Sequence, residues 1–150
     1  MRILIFIALL LTVFVSNKTF AQEAEESKLH LVQKIQIGQM GKSDEAERFQ
    51  MLLAEQLEKK GFTVVTDANK ADAVLTGVLS LRVYDDTSIA RVTVQLKTPD
   101  GKRIWGGDFQ PKRTLKRVDD TVKFRAENIA GRLRKDCNKS AKNAGIKVDK

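Results

Sequence analysis

Cysteine, histidine and proline are almost missing from this 150-residue sequence. The single cysteine, Cys137, excludes an intramolecular disulfide framework and a multi-cysteine zinc site. A lone histidine, His30, excludes histidine-based metal clusters and leaves little room for a Ser-His-Asp triad. Two prolines and nine glycines exclude collagen-like and proline-rich chains. No acidic residue precedes Glu23. The longest apolar run, Ile3–Val15 with Thr12 inside it, is shorter than the ~20 residues of a membrane-spanning helix. No metal or cofactor is expected, and nothing in the residue pattern points to an enzyme.

What is present begins with a leader. Arg2 supplies a positive start, Ile3–Val15 an apolar stretch and Thr19-Phe20-Ala21 a small-residue end, the pattern of a secretory signal peptide. Cleavage after Ala21 removes 21 of 150 residues and leaves 129, enough for one domain with a real core. The net charge falls from +8 to +6, because Arg2 and Lys18 leave with the leader. That charge is unevenly placed. Residues 22–100 hold 10 basic and 13 acidic residues, whereas 101–150 hold 15 basic and 6 acidic. A strongly basic last third behind a slightly acidic first part suits either an anionic partner or a solvated surface.

Hydrophobic periodicity organises the mature chain. Residues 22–28 form a flexible acidic lead, and 144–150 a polar tail. Between them, 29–143 read as a single α/β domain. Leu29, Leu31, Ile35 and Ile37 share one parity, which predicts a strand from Leu29. Residues 44–60 predict a helix, with Ala46, Phe49, Leu53 and Leu57 on one face, Asp44 and Glu47 at capping-box spacing and Gly61 as the stop. Strands follow at 62–66, 73–84, 88–97 and 102–110, with a turn at Thr98-Pro99-Asp100-Gly101. After a basic connector at 111–118, a last helix from Asp119 or Asp120 to Asn143 carries the stripe Val122, Ala126, Ile129, Ala130, Leu133 and Cys137, surrounded by Lys123, Arg125, Arg132, Arg134, Lys135 and Lys139. The order β-α-β-β-β-β-α predicts a two-layer α/β (α+β) sandwich. Its mainly antiparallel sheet of four or five strands has two amphipathic helices on one face.

Several motifs have plain structural readings. Gly41-Lys42-Ser43 lies between a strand and a helix, where a phosphate loop would lie, but Gln36 stands where that motif needs its first glycine. No nucleotide is expected, and a nucleotide-dependent or hydrolytic enzyme is the least favoured reading. His30 reads as a surface histidine and Cys137 as a buried, inert thiol. Asp85-Asp86 and Asp119-Asp120 fall at element ends and suit turns and caps. The uncovered sheet face is the more informative surface: Lys34, Arg82, Arg91 and Lys97 share its parity, Tyr84 is close, and Trp105 is compatible with either side. In the last third, Lys112, Arg113, Lys116, Arg117, Arg132 and Arg134 are the electrostatic candidates.

Ala71-Asp72-Ala73-Val74-Leu75-Thr76-Gly77-Val78, together with Phe62-Thr63-Val64-Val65 and the helix ending at Lys60-Gly61, resembles a group of bacterial envelope proteins. The group includes the curli secretion lipoprotein, the lipoprotein activator of penicillin-binding proteins and the amino-terminal domain of TolB. The resemblance spans Ile35–Tyr84, about two fifths of the mature chain. It implies a non-catalytic α/β domain that works in the periplasm by protein contacts, and it carries no catalytic residues. Several members are lipid-anchored through a cysteine after the signal peptide; here the only cysteine is Cys137, so a soluble periplasmic or secreted protein without a lipid anchor is expected. The function expected is binding or assembly in the cell envelope, through an envelope protein partner or self-association. The alternative is a binder of an anionic polymer, lipid headgroup or nucleic acid through the basic last third.

Overall fold

The computed structural model describes residues 28–110 and 115–147. The signal peptide, nearly all of the acidic lead, and Lys112 and Arg113 lie outside the described residues. Among the described residues no helix is long and apolar enough to cross a membrane.

Five strands and two long helices form in the expected order: β1 (Lys34–Ile37), α1 (Asp44–Lys59), β2 (Thr63–Val65), β3 (Ala73–Val83), β4 (Ser88–Lys97), β5 (Arg103–Phe109) and α2 (Val118–Asn143). The strands make one sheet in the order β2-β1-β3-β4-β5. It is mixed. β1 lies parallel to both β2 and β3 over three residues each, while β3–β4 and β4–β5 are antiparallel along the long strands. By length the sheet is therefore mainly antiparallel. The parallel pairs follow from the α1 crossover, because parallel neighbours need a long connection whereas hairpins need only a tight turn.

Both helices cover one face. Ile35, Leu75, Val92, Val94 and Leu96 bury against Phe49, Leu53 and Leu57 of α1 and Val122, Ile129 and Leu133 of α2. Each such side chain contributes roughly 1.5–3 kcal/mol of transfer free energy. The apolar stripe of α2, Cys137 included, is buried. Ser88 ties the start of β4 to α2: its N–H donates to the Leu115 carbonyl at 2.6 Å, and its hydroxyl meets that of Thr121 at 2.6 Å.

The structure corrects four local expectations. Leu29–Leu31 is a 3-10 turn rather than the start of a strand. Leu29 and Val32 bury while Leu31 is 61% exposed, so docking of this turn against α2 overrides the period-two pattern. His30 is half-buried there, its backbone N–H and Nδ1 lying 3.3 and 3.1 Å from Ser140 Oγ. The cap of α1 is Ser43, one residue earlier than expected, and its hydroxyl accepts from the Ala46 N–H at 3.2 Å. Arg125, assigned by sequence to the solvated flank of α2, is only 4% exposed.

Beyond the end of β1, Gly38–Met40 stays hydrogen-bonded to β3. Gly38 N–H donates to Leu75, while the Gln39 and Met40 carbonyls accept from Gly77 and Leu79. Met40 is buried in the core beside Gly77. This stretch places its backbone against β3, the opposite of amides turned outward to cradle a phosphate.

Candidate functional site

Two surfaces remain to be assigned. The first is the sheet face away from the helices. Alternation along β3 and β4 turns Val78, Ser80, Arg82, Arg91 and Thr93 to it, and all five are exposed. The Thr66 carbonyl accepts from the Gln36 side chain at 3.0 Å, so the connection from β2 to β3 crosses this face at β1 and leaves β3–β5 open.

Lys34, Arg82, Arg91 and Lys97 lie on this face, as their parity requires. They are not equivalent. Arg91 is neutralised by Asp108 of β5 through Nε and Nη2 contacts of 3.0 and 2.5 Å. The same contacts hold the Asp108 carboxyl below the ordinary aspartate range, with Gln110 and Thr93 helping. The register sets Lys97 opposite Arg103, a like-charge pair that sequence reasoning missed because the strand is irregular between Leu96 and Lys97. Arg103 lies across Gly106, where a Cβ would come 2.9 Å from Nη2.

Trp105 does not belong to this face. It is 7% exposed, on the helix side, and its Nε1 donates to Asp136 of α2 at 2.9 Å. A buried indole needs an acceptor for its N–H, and only the helix side supplies one. Tyr84 stands at the tip of the β3–β4 hairpin, where its N–H donates to the Thr87 carbonyl at 2.7 Å. The tip exposes both a 63% accessible Val83 and a 52% accessible Tyr84. Arg82, Asp85 and Asp86 surround them and are exposed.

The second surface is basic. The described candidates from the last third do not form one patch. Lys116 and Arg117 are exposed just ahead of α2. Arg132 lies against the β5 side of that helix, 5.6 Å over the Phe109 ring and 3.7 Å from Asp136. Arg134 points to the other flank. Its guanidinium stacks 4.2 Å over Phe62, and its Nε donates to the Lys60 carbonyl at 2.6 Å. Beside Arg134 a groove of ≈ 500 Å³ opens between the end of α1, at Lys60, and the exposed flank of α2, with Lys135, Lys139 and Lys142 along it. Gly131 and Asn138 complete its wall. Of these, sequence reasoning made only Arg134 a site candidate. The spacing of Gly131, Lys135, Asn138 and Lys142 along one helical face is the signal that could have found the rest.

Burial pushes the Cys137 thiol up to about 11, so it is a neutral thiol at physiological pH. Among the described residues no group of three or more His, Cys, Asp or Glu side chains is placed to hold a metal ion.

Together these features define a class: a small α+β domain of two layers, with helices on one side of a mixed sheet and an uncovered face on the other. The sequence matches no protein-family model and no curated protein. Among solved structures it is similar to a point variant of PelC from Paraburkholderia phytofirmans, crystallised as a dodecamer. The identity is 14%, covering 68% of this chain and 86% of that one, with a TM-score of 0.51. A second is a DUF4136 family protein from Bacteroides thetaiotaomicron, at 11% identity over 79% of this chain and 90% of that one, with a TM-score of 0.38. What the chain shares with PelC is the fold.

Proposed function

We propose that this chain is an exported, non-catalytic binding and assembly protein of the bacterial cell envelope, acting through protein contacts and in the first place with copies of itself. The observation that carries the reading is the β3–β4 tip. Val83 and Tyr84 present apolar surface beyond the body of the domain, next to an uncovered sheet face on which Val78 is 63% exposed. An exposed aromatic side chain with apolar surface beside it, inside a polar rim, is the anatomy of protein interfaces. Support also comes from PelC, a protein of the same fold, which forms a dodecamer. The leader of residues 1–21 supports export.

Sedimentation velocity on the exported chain tests the reading. Wild type is expected to associate at micromolar concentration, and Val83→Asp with Tyr84→Asp to sediment as a folded monomer. A wild type that stays monomeric over the whole concentration range, or a double variant that associates normally, would reject it. Mass spectrometry of the exported protein should find Gln22 as the first residue.

A further inference from the structure

The basic groove is a different surface from the assembly tip, and apart from Arg134, which packs on Phe62 and bonds the Lys60 carbonyl, its cations are not accounted for by the fold. Lys60, Arg134, Lys135, Lys139 and Lys142 bring five cations into one concavity with no acidic residue in its lining. The one acid of α2 beyond Gly131, Asp136, is directed to the Trp105 side. Among the described residues none of the four lysines pairs with a carboxylate. Lys135 and Lys139 are a like-charge pair at i, i+4, an arrangement that weakens a helix. Gly131, in mid-helix, weakens it further. No packing requirement explains that glycine, since a Cβ there would meet nothing within 4 Å. Its effect is to keep the groove open. Two unfavourable local choices within one stretch of helix, both of which shape the same concavity, mark a site rather than a scaffold.

From this geometry we infer that the groove binds a linear anionic polysaccharide, with Arg134 as the fixed contact and Lys60, Lys135, Lys139 and Lys142 as adjustable ones. Arg134 is pre-organised by the Phe62 ring and the Lys60 carbonyl, so little freedom is lost when it meets an anion. Gly131 to Lys142 spans ~16 Å of helix, with positions about one turn of ~5.4 Å apart. That interval is comparable to one sugar unit of an extended chain bearing a carboxylate on each residue. Asn138 adds a neutral hydrogen-bonding side chain suited to hydroxyl groups. The lining favours this occupant over other polyanions. It offers no aromatic ring on which a nucleic-acid base could stack. It has no apolar anchor of the kind that dominates peptide and protein interfaces. Being concave, it does not present its charges to a flat bilayer.

The test uses the exported full chain and fluorescein-labelled polygalacturonate, followed by anisotropy at about 50 and about 300 mM salt. Neutral dextran, oligo-deoxythymidine and phosphatidylglycerol vesicles are run beside it. Polygalacturonate is expected to bind at the lower salt and to weaken about tenfold or more at the higher. Lys135→Glu combined with Lys139→Glu should weaken it about tenfold or more at low salt, and Gly131→Glu should act in the same direction. Arg82→Glu with Arg91→Glu, on the sheet, should leave it unchanged. Unaltered circular dichroism in each variant confines the effect to the groove, and Lys135→Gln with Lys139→Gln should give an intermediate loss. Absence of polygalacturonate binding at low salt, or normal binding by the Glu double variant, overturns the inference. So does tighter, groove-dependent binding of the oligonucleotide or the vesicles. Self-association is read independently, so this inference and the assembly reading fail separately.

Discussion

Single residues show how closely the chain is fitted. Gly77 is needed because a Cβ there would collide with the Thr93 carbonyl of the neighbouring strand and press on Met40 and Val94 at 3.0 Å. Gly77→Ala is expected to cost about 2 kcal/mol or more in urea unfolding, as overpacking against backbone does. Gly131→Ala, with open space around it, should instead stabilise by about 0.5–1 kcal/mol. Cys137 carries a pH prediction. Its neutral form is favoured in the fold, at about 11, over an unfolded thiol of about 8.5. That contribution is complete below about pH 8.5 and is lost as pH rises towards the folded value. The stability advantage of wild type over Cys137→Val, measured by urea titration, should therefore shrink across that interval. Residues were legible from sequence where periodicity ruled, as with Leu53, Leu133 and Cys137. They were not where a tertiary partner decided, as with Trp105 and its acceptor Asp136.

Among the elements, the segment Ala71–Gly77 explains the resemblance in physical terms. Ala71 and Leu75 are buried. The Asp72 carboxylate accepts from the Gln33 and Lys34 N–H groups at 2.9 and 2.7 Å, which fixes the start of β1. Gly77 then lets β3, β4 and Met40 close on one another. The pattern is a device for joining strands. Helix α1 carries the prediction at this scale. Ser43→Ala should cost about 1 kcal/mol, because it removes the cap from the Ala46 N–H, while Asp44→Ala should cost clearly less. Equal losses in thermal unfolding would return the cap to Asp44. The boundary was misplaced because Ser43 and Asp44 are both good caps, and only the backbone path out of Gly41 (φ +144°) chooses between them.

For the molecule as a whole, the net charge of the sequence divides into surfaces with different behaviour. On the sheet, Arg91 is answered by Asp108, whereas the groove gathers cations without an acid in its lining. Raising salt from about 50 to about 300 mM should leave self-association through the hairpin tip largely intact and strongly weaken polyanion binding, because screening acts on the groove and spares apolar contact. Sedimentation and anisotropy on the same preparation read the two responses. If both fell together, the tip and the groove would be parts of one electrostatic surface.

By itself the sequence determined the order of elements, the two-layer class, the buried stripes of both helices and the displacement of charge to the last third. Those properties are local: they rest on periods of 2 and 3.6 residues and on composition. Only the tertiary structure decided that β1 sits between β2 and β3, that Trp105 faces inward and that the basic residues of α2 separate to two flanks. It also brought Lys60 beside Lys135, Lys139 and Lys142. These depend on strand pairing and on which helix face meets α1, contacts between residues up to some seventy positions apart, as in the Arg134–Lys60 hydrogen bond.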